Sequence, residues 1–361
     1  AGLSLRLGAL GWSKSANRTG ALTISGALST PPQIDSLALS SAGLNARGSV
    51  TLKDDGQLES LRFSRVQAGN WLDAPITLHG QGKGRAPKVD INGGTVDLRN
   101  LPKLGGATTS SGAGSKQGLK VNLDRLRVTE KISLDAFKGT FSTSGELSGQ
   151  FSGLVNGAAA VTGQVSPVGG RSSFEVRAKD AGAVLSAAGL LNRAKQGELL
   201  LSMIPVGNAG HYDGYLTISN LRIIEIPALA ALLHAVSIVG LLEQLGGPGI
   251  LFSEIEAKFR LSPEQLVVRS SSAVGASMGL SLDGGYELAT NQMDFQGVLS
   301  PLYALNGIGS LLTRKGEGLL GFNFRLTGAS SDPKVQVNPL SIFTPGMFRE
   351  IFRRPVPKVR Q

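Results

Sequence analysis

The chain has 361 residues and a formal net charge of +10, with no cysteine, three histidines and 49 glycines. Without cysteine there are no disulfides, thiolate metal sites or cysteine nucleophiles, and the histidines lie too far apart in sequence to predict a zinc site. The length exceeds the size at which one compact core usually stops growing, so we expect two domains or one elongated body.

The positive charge has two interpretations. It is either a solvated basic surface that keeps the protein soluble or a surface that contacts anionic headgroups. Binding of nucleic acid would require clusters of Lys and Arg interleaved with stacking aromatic residues. Aromatic residues make up only 5% of this chain, and its basic residues mostly alternate with apolar ones. We therefore expect no nucleic-acid partner.

Alternation of apolar and polar residues recurs along the chain and predicts strands with one apolar and one polar face. The pattern appears in "LSLRL" (3–7), "PKVDINGGTVDLRN" (87–100), "LKVNLDRLRV" (119–128), "SEIEAKFRL" (253–261) and "GFNFRL" (321–326). Turns such as "DDG" and "SPEQ" bound these strands at hairpin spacing, which is typical of an antiparallel sheet and not of βαβ units.

The apolar faces of so many strands must be covered by something. A closed sandwich would normally use bulky aromatic residues to fill its middle, whereas here Leu, Val, Ile and Ala dominate the apolar positions. The sequence therefore predicts a mainly β fold with a long antiparallel sheet. Two arrangements stay open, a sandwich of two sheets and a curled sheet whose apolar face lines a groove, and the groove is at least as natural.

A stretch rich in Gly, Ser and Thr from Lys103 to Gly118 interrupts the strands and is typical of a flexible loop. We expect residues 1–102 to form the N-terminal part of the groove, 119–354 its C-terminal part with helices, and 355–361 a basic tail. The chain starts without a signal segment or an N-terminal membrane span, so we expect a fragment or a processed chain.

Helices are predicted to cap or plug the groove at about 181–194, 226–245, 302–313 and 340–353. The second is apolar nearly all round and approaches the roughly 20 residues of a membrane span. Three alternatives are a helix buried against the sheet with a bend at Gly240, a transmembrane span, and an interfacial helix. The buried alternative is favoured because a span would place His234 near the hydrocarbon centre.

Three motifs resemble parts of catalytic sites but lack the necessary context. "GASMG" (275–279) matches the G-x-S-x-G nucleophile elbow, yet Ser277 precedes an alternating strand and not a helix. Ser331 and Lys334 have S-x-x-K spacing, but Pro333 favours a turn. "GQGKG" (80–84) lacks the G-K-[ST] of a phosphate loop. The sequence therefore predicts a non-enzymatic protein with no catalytic residues, cofactor or metal.

Three segments carry a resemblance to a known family: residues 216–261, 282–306 and 316–352, of which "DPKVQVNPL" (332–340) is the most specific. They resemble the C-terminal region of the AsmA-like family, in particular its YhdP-type members of Gram-negative envelopes. The resemblance is strong over about 180–352 and rests on strand texture alone in the first hundred residues. It implies a long antiparallel twisted sheet curled into an open, taco-like β-groove that conducts phospholipid across the periplasm, tethered to the inner membrane by a segment that this sequence lacks.

We expect the apolar strand positions near the C-terminus and one helix face to line the groove for acyl chains, and basic residues after them to meet anionic headgroups. The lining candidates are Ile255, Phe259, Leu261, Leu280, Leu282, Phe322, Phe324, Leu326, Val335, Val337, Leu229 and Leu233. The headgroup candidates are Arg349, Arg353, Arg354 and Lys358. A disordered basic terminus is the alternative for the latter group.

The partners expected on this basis are phospholipid, the surface of the inner or outer membrane, and a further envelope protein. The alternative function is a periplasmic assembly or scaffold factor, in which the groove holds a β-strand of an outer-membrane protein.

Overall fold

A computed structural model of the chain describes residues 4–7, 12–29, 32–101, 118–143, 146–224, 227–301, 314–318, 320–330, 332–344 and 354–355. The chain divides into two compact units. Unit 1 comprises Ala1–Ala158 and Gln164–Gly170, and unit 2 comprises Ala159–Gly163 and Arg171–Gln361. The loop predicted at 103–118 lies almost entirely outside the described residues, so the domain boundary expected there stays a prediction.

Unit 1 is built from short and medium strands joined by tight turns. Its strands are β1 (Leu5–Leu7), β2 (Trp12–Lys14), β3 (Gly20–Ala27), β4 (Gln33–Ser41), β5 (Leu44–Leu52), β6 (Leu58–Ala68), β7 (Leu72–His79), β8 (Lys88–Asn92), β9 (Thr95–Asp97), β10 (Gly118–Arg127), β11 (Ser133–Ser142) and β12 (Ser148–Val155). A 3-10 helix at Leu98–Asn100 follows β9. The next strand, β13 (Ala159–Val168), is divided between the two units.

Neighbouring strands of unit 1 pair antiparallel, with one exception. β10 runs parallel to both β8 and β9, which themselves pair antiparallel with β7. Parallel neighbours cannot be joined by a hairpin and need a connection of about a dozen or more residues. The Gly/Ser-rich stretch belongs to that connection, and hairpin spacing alone did not predict the parallel pairing.

The core of unit 1 lies on one face of its sheet. Leu44 and Leu72 are both buried and share one cross-strand partner on β6. Aromatic side chains from β11 and β12 pack against the same cluster. Leu37, Phe63 and Ile91, further along the same face, follow the alternation that the sequence displays. Burial of alternate residues is therefore what holds this sheet in register.

Unit 2 carries the longest strands and all the α-helices in the described part of the chain. Its elements are β14 (Arg171–Ala178), α1 (Ala181–Ala187), β15 (Ala194–Lys195), β16 (Glu198–Pro205), β17 (Tyr212–Ile223), α2 (Pro227–Ala235), α3 (Val239–Gly246), β18 (Ile250–Leu261), β19 (Gln265–Val274), β20 (Met278–Glu287), β21 (Gln292–Pro301), β22 (Phe322–Ala329) and β23 (Asp332–Asn338).

From β16 to β23 each strand of unit 2 pairs antiparallel with the next, and β14 pairs with β16. A 3-10 helix at Pro339–Phe343 follows β23. The mainly β class, the long sheet and the few helices predicted from the sequence are confirmed, and such a sheet fits the predicted curled groove.

The first helix begins as the sequence predicts and ends earlier. The side chain of Asp180 accepts a hydrogen bond from the backbone N–H of Ala183 at 2.9 Å, the expected N-cap. The helix stops at Ala187, and Gly189 adopts a left-handed backbone with φ +70°. Ala194, predicted as the last helical residue, instead forms β15 with Lys195 beside β17.

The apolar helix predicted at 226–245 is two short helices. Ser237 has φ +58°, and the backbone N–H of Ile238 bonds to the carbonyl of Leu233 at 3.1 Å, which closes α2. The chain therefore turns at Ser237 and not at Gly240. α2 packs against β23 and α3 lies beside β18, so this segment is buried against the sheet.

In the part of the chain that the structure describes, no helix has both the length and the apolarity needed to cross a membrane. The helix predicted at 302–313 lies outside the described residues, as does most of the one at 340–353.

Candidate functional site

The apolar side chains of unit 2 form rows that cross the sheet, because directly opposed residues on neighbouring strands point to the same face. The row through Phe259 starts on β14 and ends on β23. Its members are Phe174, Met203, Gly214, Phe259, Val268, Gly284, Phe295, Leu326 and Val335. This row has no polar side chain on any of nine strands.

Two further continuous rows lie on the same face, one on each side of the first. Towards the helices, the Ile255 row contains Ala178, Leu199, Ile218, Ile255, Ala273, Leu280, Leu299 and Phe322. Towards the opposite strand ends, the Leu261 row contains Pro205, Tyr212, Leu261, Leu266, Tyr286, Met293, Gly328 and Pro333.

A fourth row lies between those of Phe259 and Ile255 and is interrupted where a register shift separates β19 from β20. One segment contains Val176, Leu201, Leu216, Ala257 and Ser271, and the other contains Leu282, Gly297, Phe324 and Val337. Together the four rows are called the apolar face. Ser271 is the only side chain in it, apart from the tyrosines, that carries a polar group.

Burial changes in a regular way across the apolar face. The Ile255 row is the most enclosed, with Ile218 2% and Leu299 0% exposed, whereas every residue of the Leu261 row is only half-buried. A second packed layer would bury such side chains completely. The apolar face therefore keeps accessible apolar area along its Leu261 side while none of its residues is fully exposed.

The apolar face ends abruptly near the helices. Asn220 on β17 has φ +55°, and beyond it the buried side chains Leu221 and Phe252 point to the opposite face of the sheet. Ser253 and Leu251 lie beyond this boundary and point to the same side of the sheet as the apolar face, and both are exposed. The boundary thus separates the apolar face from a core that is packed on the opposite side of the sheet.

The opposite face of the same strands carries ion pairs. Arg260 lies 2.8 Å from Asp213, Arg325 lies 2.6 Å from Asp294, and Lys315 Nζ lies 2.8 Å from Glu254. Hydrogen bonds from these cations hold the pKa of each carboxyl below its ordinary value, and the hydrogen bond that Lys315 donates to Glu254 raises the pKa of Lys315. This opposite face, called the ionic face, also holds buried side chains such as Val267 and Val298, each at 1% exposure. The two faces are chemically distinct because the apolar face carries no charged group.

The structure brings ten of the predicted lining residues onto the apolar face. They are Ile255, Phe259, Leu261, Leu280, Leu282, Phe322, Phe324, Leu326, Val335 and Val337. The other two, Leu229 and Leu233, lie in α2 and are buried, at 8% and 0% exposure. The ten share a surface with one another, and the two in α2 contribute to the packing of the helix.

Of the predicted headgroup residues only Arg354 is described. It is exposed, and its backbone N–H and carbonyl pair with the side-chain amide of Gln296 at 3.1 and 2.7 Å. Arg349, Arg353 and Lys358 lie outside the described residues.

Sequence reasoning named no lining residue on β14, β16, β17, β19 or β21, and it missed the glycines within the rows. The signal was present in "YDGYLTIS" (212–219), where Tyr212, Gly214, Leu216 and Ile218 share one parity. A glycine at an apolar position hides the alternation because it adds no side chain to the pattern.

The structure shows the surroundings of the elbow-like motif, whereas Ser331 of the S-x-x-K pair lies outside the described residues. Ser277 lies in the turn after β19, and β20 begins at the next residue, so the helix of a nucleophile elbow does not follow it. Within the described ranges, no group of three or more His, Asp or Glu side chains is placed to hold a metal ion.

Unit 1 contains a separate polar cleft of about 480 Å³ beside Trp71, Asp73, Asp97 and Asp124. Asp73 is paired with Arg65, and Arg99 lowers the pKa of Asp97 to about 2. Asp124 accepts the backbone N–H of Gly94 at 2.8 Å. Asp73, whose pKa is also lowered, and Asp97 are therefore ionised at neutral pH, which does not suit a general acid.

Comparisons of this chain with family models, with curated proteins and with solved structures gave no match.

Proposed function

We propose that the apolar face of unit 2 binds the acyl chains of phospholipids and that the protein conducts phospholipid between the inner and outer membranes without catalysis. The observation that carries the proposal is the continuous set of apolar rows from β14 to β23, which is enclosed along its Ile255 row and half-buried along its Leu261 row. The resemblance of the sequence to the AsmA-like family supports the same function and a periplasmic location.

Free energy gives the reason why such a surface suits a lipid. Each methylene transferred from water to an apolar surface contributes about 0.8 kcal/mol, so a chain of about 16 methylenes in water costs on the order of 13 kcal/mol. A continuous apolar face removes much of this cost at every point along it. No reacting group is needed, since the lipid is moved and not altered.

The dimensions favour a path over a pocket. Nine strands at about 4.8 Å spacing give a row of roughly 38 Å along the sheet. The hydrocarbon core of a bilayer is about 30 Å thick, so one acyl chain covers roughly 15 Å. A row therefore extends over about two and a half times the length of one chain, and a lipid can advance while it remains in contact.

The test compares two acidic substitutions on opposite faces. Phe259→Asp places a charge in the apolar face, and Tyr215→Asp, on the neighbouring strand β17, places one on the ionic face, where Tyr215 is already exposed. Both proteins are purified natively and the bound lipid is quantified by mass spectrometry. We expect lipid to be lost from the first and retained by the second.

Circular dichroism establishes that both variants keep their strands. Equal lipid content in a folded Phe259→Asp variant would refute the proposal. Recovery of outer-membrane proteins instead of lipid with the unmodified chain would favour the assembly-factor alternative.

A further inference from the structure

Two phenylalanine rings of the apolar face, those of Phe259 and Phe324, lie over glycines and do not stand upright from the sheet. A Cβ built on Gly214 would lie 2.1 Å from Cζ of Phe259, the residue directly opposite on β18. The same relation joins Gly297 on β21 to Phe324 on β22, with 2.7 Å from the built Cβ to Cζ. In both pairs the ring covers the glycine of the preceding strand.

Gly214 isolates the role of the ring from that of the backbone. The three atoms nearest to its built Cβ are all ring atoms of Phe259, and its φ does not lie in the left-handed region that favours glycine. At Gly297 the carbonyl of Ser281 would also obstruct a side chain, so that glycine has a second reason. The three closest atoms, which would exclude a side chain at Gly214, thus all belong to the Phe259 ring.

A second example occurs independently in unit 1. The built Cβ of Gly139 would lie 2.3 Å from Cε2 of Phe141 and 3.4 Å from Cε1 of Phe137, both on the same strand, β11. The rings of Phe137 and Phe141 are nearly parallel, at 11°. The arrangement of a ring over a bare glycine is therefore a repeated feature of this protein.

We propose that Gly214 is a positioning residue that lets the Phe259 ring lie flat against the sheet. The flat ring sets how closely an acyl chain can approach the apolar face at this row. This inference rests on the lipid-binding function proposed above. A flat ring contributes apolar area without relief, whereas an upright ring would stand as a ridge across the row and reduce contact with a straight chain. Gly214 therefore determines how much contact an acyl chain makes as it moves along the row.

The inference requires that a methyl group at position 214 displaces the ring without preventing folding. Phe259 is half-buried, and only the far end of its side chain is close, so rotation about its side-chain bonds relieves the clash. Gly214→Ala should raise the ring. Gly214→Ala combined with Phe259→Leu should restore a low surface, since leucine lacks the ring.

The experiment uses the full chain as Gly214→Ala, the Gly214→Ala/Phe259→Leu double variant, and Gly246→Ala as a control, because no atom lies within 4 Å of the built Cβ there. Each protein is incubated with phosphatidylglycerol vesicles containing a phospholipid with a photoreactive palmitoyl chain, and crosslinked lipid is measured. We expect about a tenfold loss for Gly214→Ala, equivalent to lost contact with about two methylenes. The double variant should return to within about twofold of the unmodified protein, and the control should not change.

Equal crosslinking by the unmodified chain and Gly214→Ala would overturn the inference while leaving lipid binding intact. If the unmodified chain captures no lipid, the proposed function fails. A double-mutant cycle of unfolding stability, which adds the single variant Phe259→Leu to the same proteins, then decides whether the ring excludes a side chain at position 214. The ring placement is supported if the two substitutions are not additive, that is, if the unfolding equilibrium constant of the double variant is about tenfold smaller than the two single effects together predict. Additive constants refute it.

Discussion

The guanidinium of Arg260 on β18 donates two hydrogen bonds to the carboxylate of Asp213 on β17, with Nε to Oδ1 and Nη2 to Oδ2 both at 2.8 Å. The two residues are direct cross-strand partners, and they occupy the face opposite Phe259 and Gly214. A planar, two-point bond of this kind also fixes the register of the strands that carry the apolar rows. The ionic face thus helps to align the apolar one.

Loss of this bond should weaken the sheet by a measurable amount. We expect Asp213→Asn to lower the free energy of unfolding by about 1 kcal/mol, because the bond is charge-assisted and two-point although both side chains are partly exposed. Urea denaturation measures the change. Glu243→Gln, on the exposed side of α3, is the control and should stay within about 0.5 kcal/mol of the unmodified protein. Equal effects at the two positions would contradict this role for Asp213.

Acid should destabilise unit 1 through Asp97. The hydrogen bond from Arg99 lowers the pKa of Asp97 from 3.8 to about 2 in the folded protein. A lowered folded pKa contributes stability that is present above about pH 4 and lost as the pH falls through about 2. Asp97→Asn should therefore flatten the fall in stability between pH 4 and pH 2, measured as the urea midpoint at each pH. A curve parallel to that of the exposed-site control Asp332→Asn would argue against it.

Two adjacent residues test how α2 is held. Leu233 is 0% exposed, whereas His234 is exposed at the end of the same helix. We expect Leu233→Ala to cost about 3 kcal/mol, the usual loss when a buried leucine is truncated. His234→Ala should cost less than about 0.5 kcal/mol. Thermal and urea unfolding report both values, and comparable losses would mean that α2 does not pack as described.

The break between α2 and α3 gives a prediction whose sign is decisive. Ser237 has φ +58°, a conformation that glycine adopts without strain. Ser237→Gly should therefore stabilise the protein by about 0.5 to 1 kcal/mol. In a continuous helix the same change would destabilise by a few tenths of a kcal/mol or more. Urea denaturation distinguishes the two, and a loss of stability would restore the single long helix.

The serine of the elbow-like motif should be chemically inert. Ser277 lies in a turn between two strands, where nothing in the described residues activates its hydroxyl. We expect no labelling by a fluorophosphonate probe, read by intact-protein mass spectrometry. A trypsin sample labelled in parallel shows that the probe is active. Labelling that disappears in Ser277→Ala would reopen the hydrolase hypothesis.

The part of the candidate site on β18, β20, β22 and β23 could be predicted because side-chain parity in a strand is local. Ile255, Phe259 and Leu261 share a face whatever the neighbouring strands do, since successive residues of a strand point to opposite sides. The same parity predicted the residues of β20, β22 and β23 that the structure places on the apolar face. Asp180 predicted the start of α1 for an equally local reason, because its side chain caps the helix three residues later.

The sequence by itself thus determined the mainly β class and which residues of each strand lie on its apolar side, since both depend on contacts between residues close in the chain. Only the tertiary structure decided the parallel pairing of β10 with β8 and β9, the break at Ser237, and the change of buried face at Asn220. It alone placed the ring of Phe259 over Gly214. These features depend on strand register and on packing between segments that are distant in the chain, and the local alternation of residues does not determine either of them.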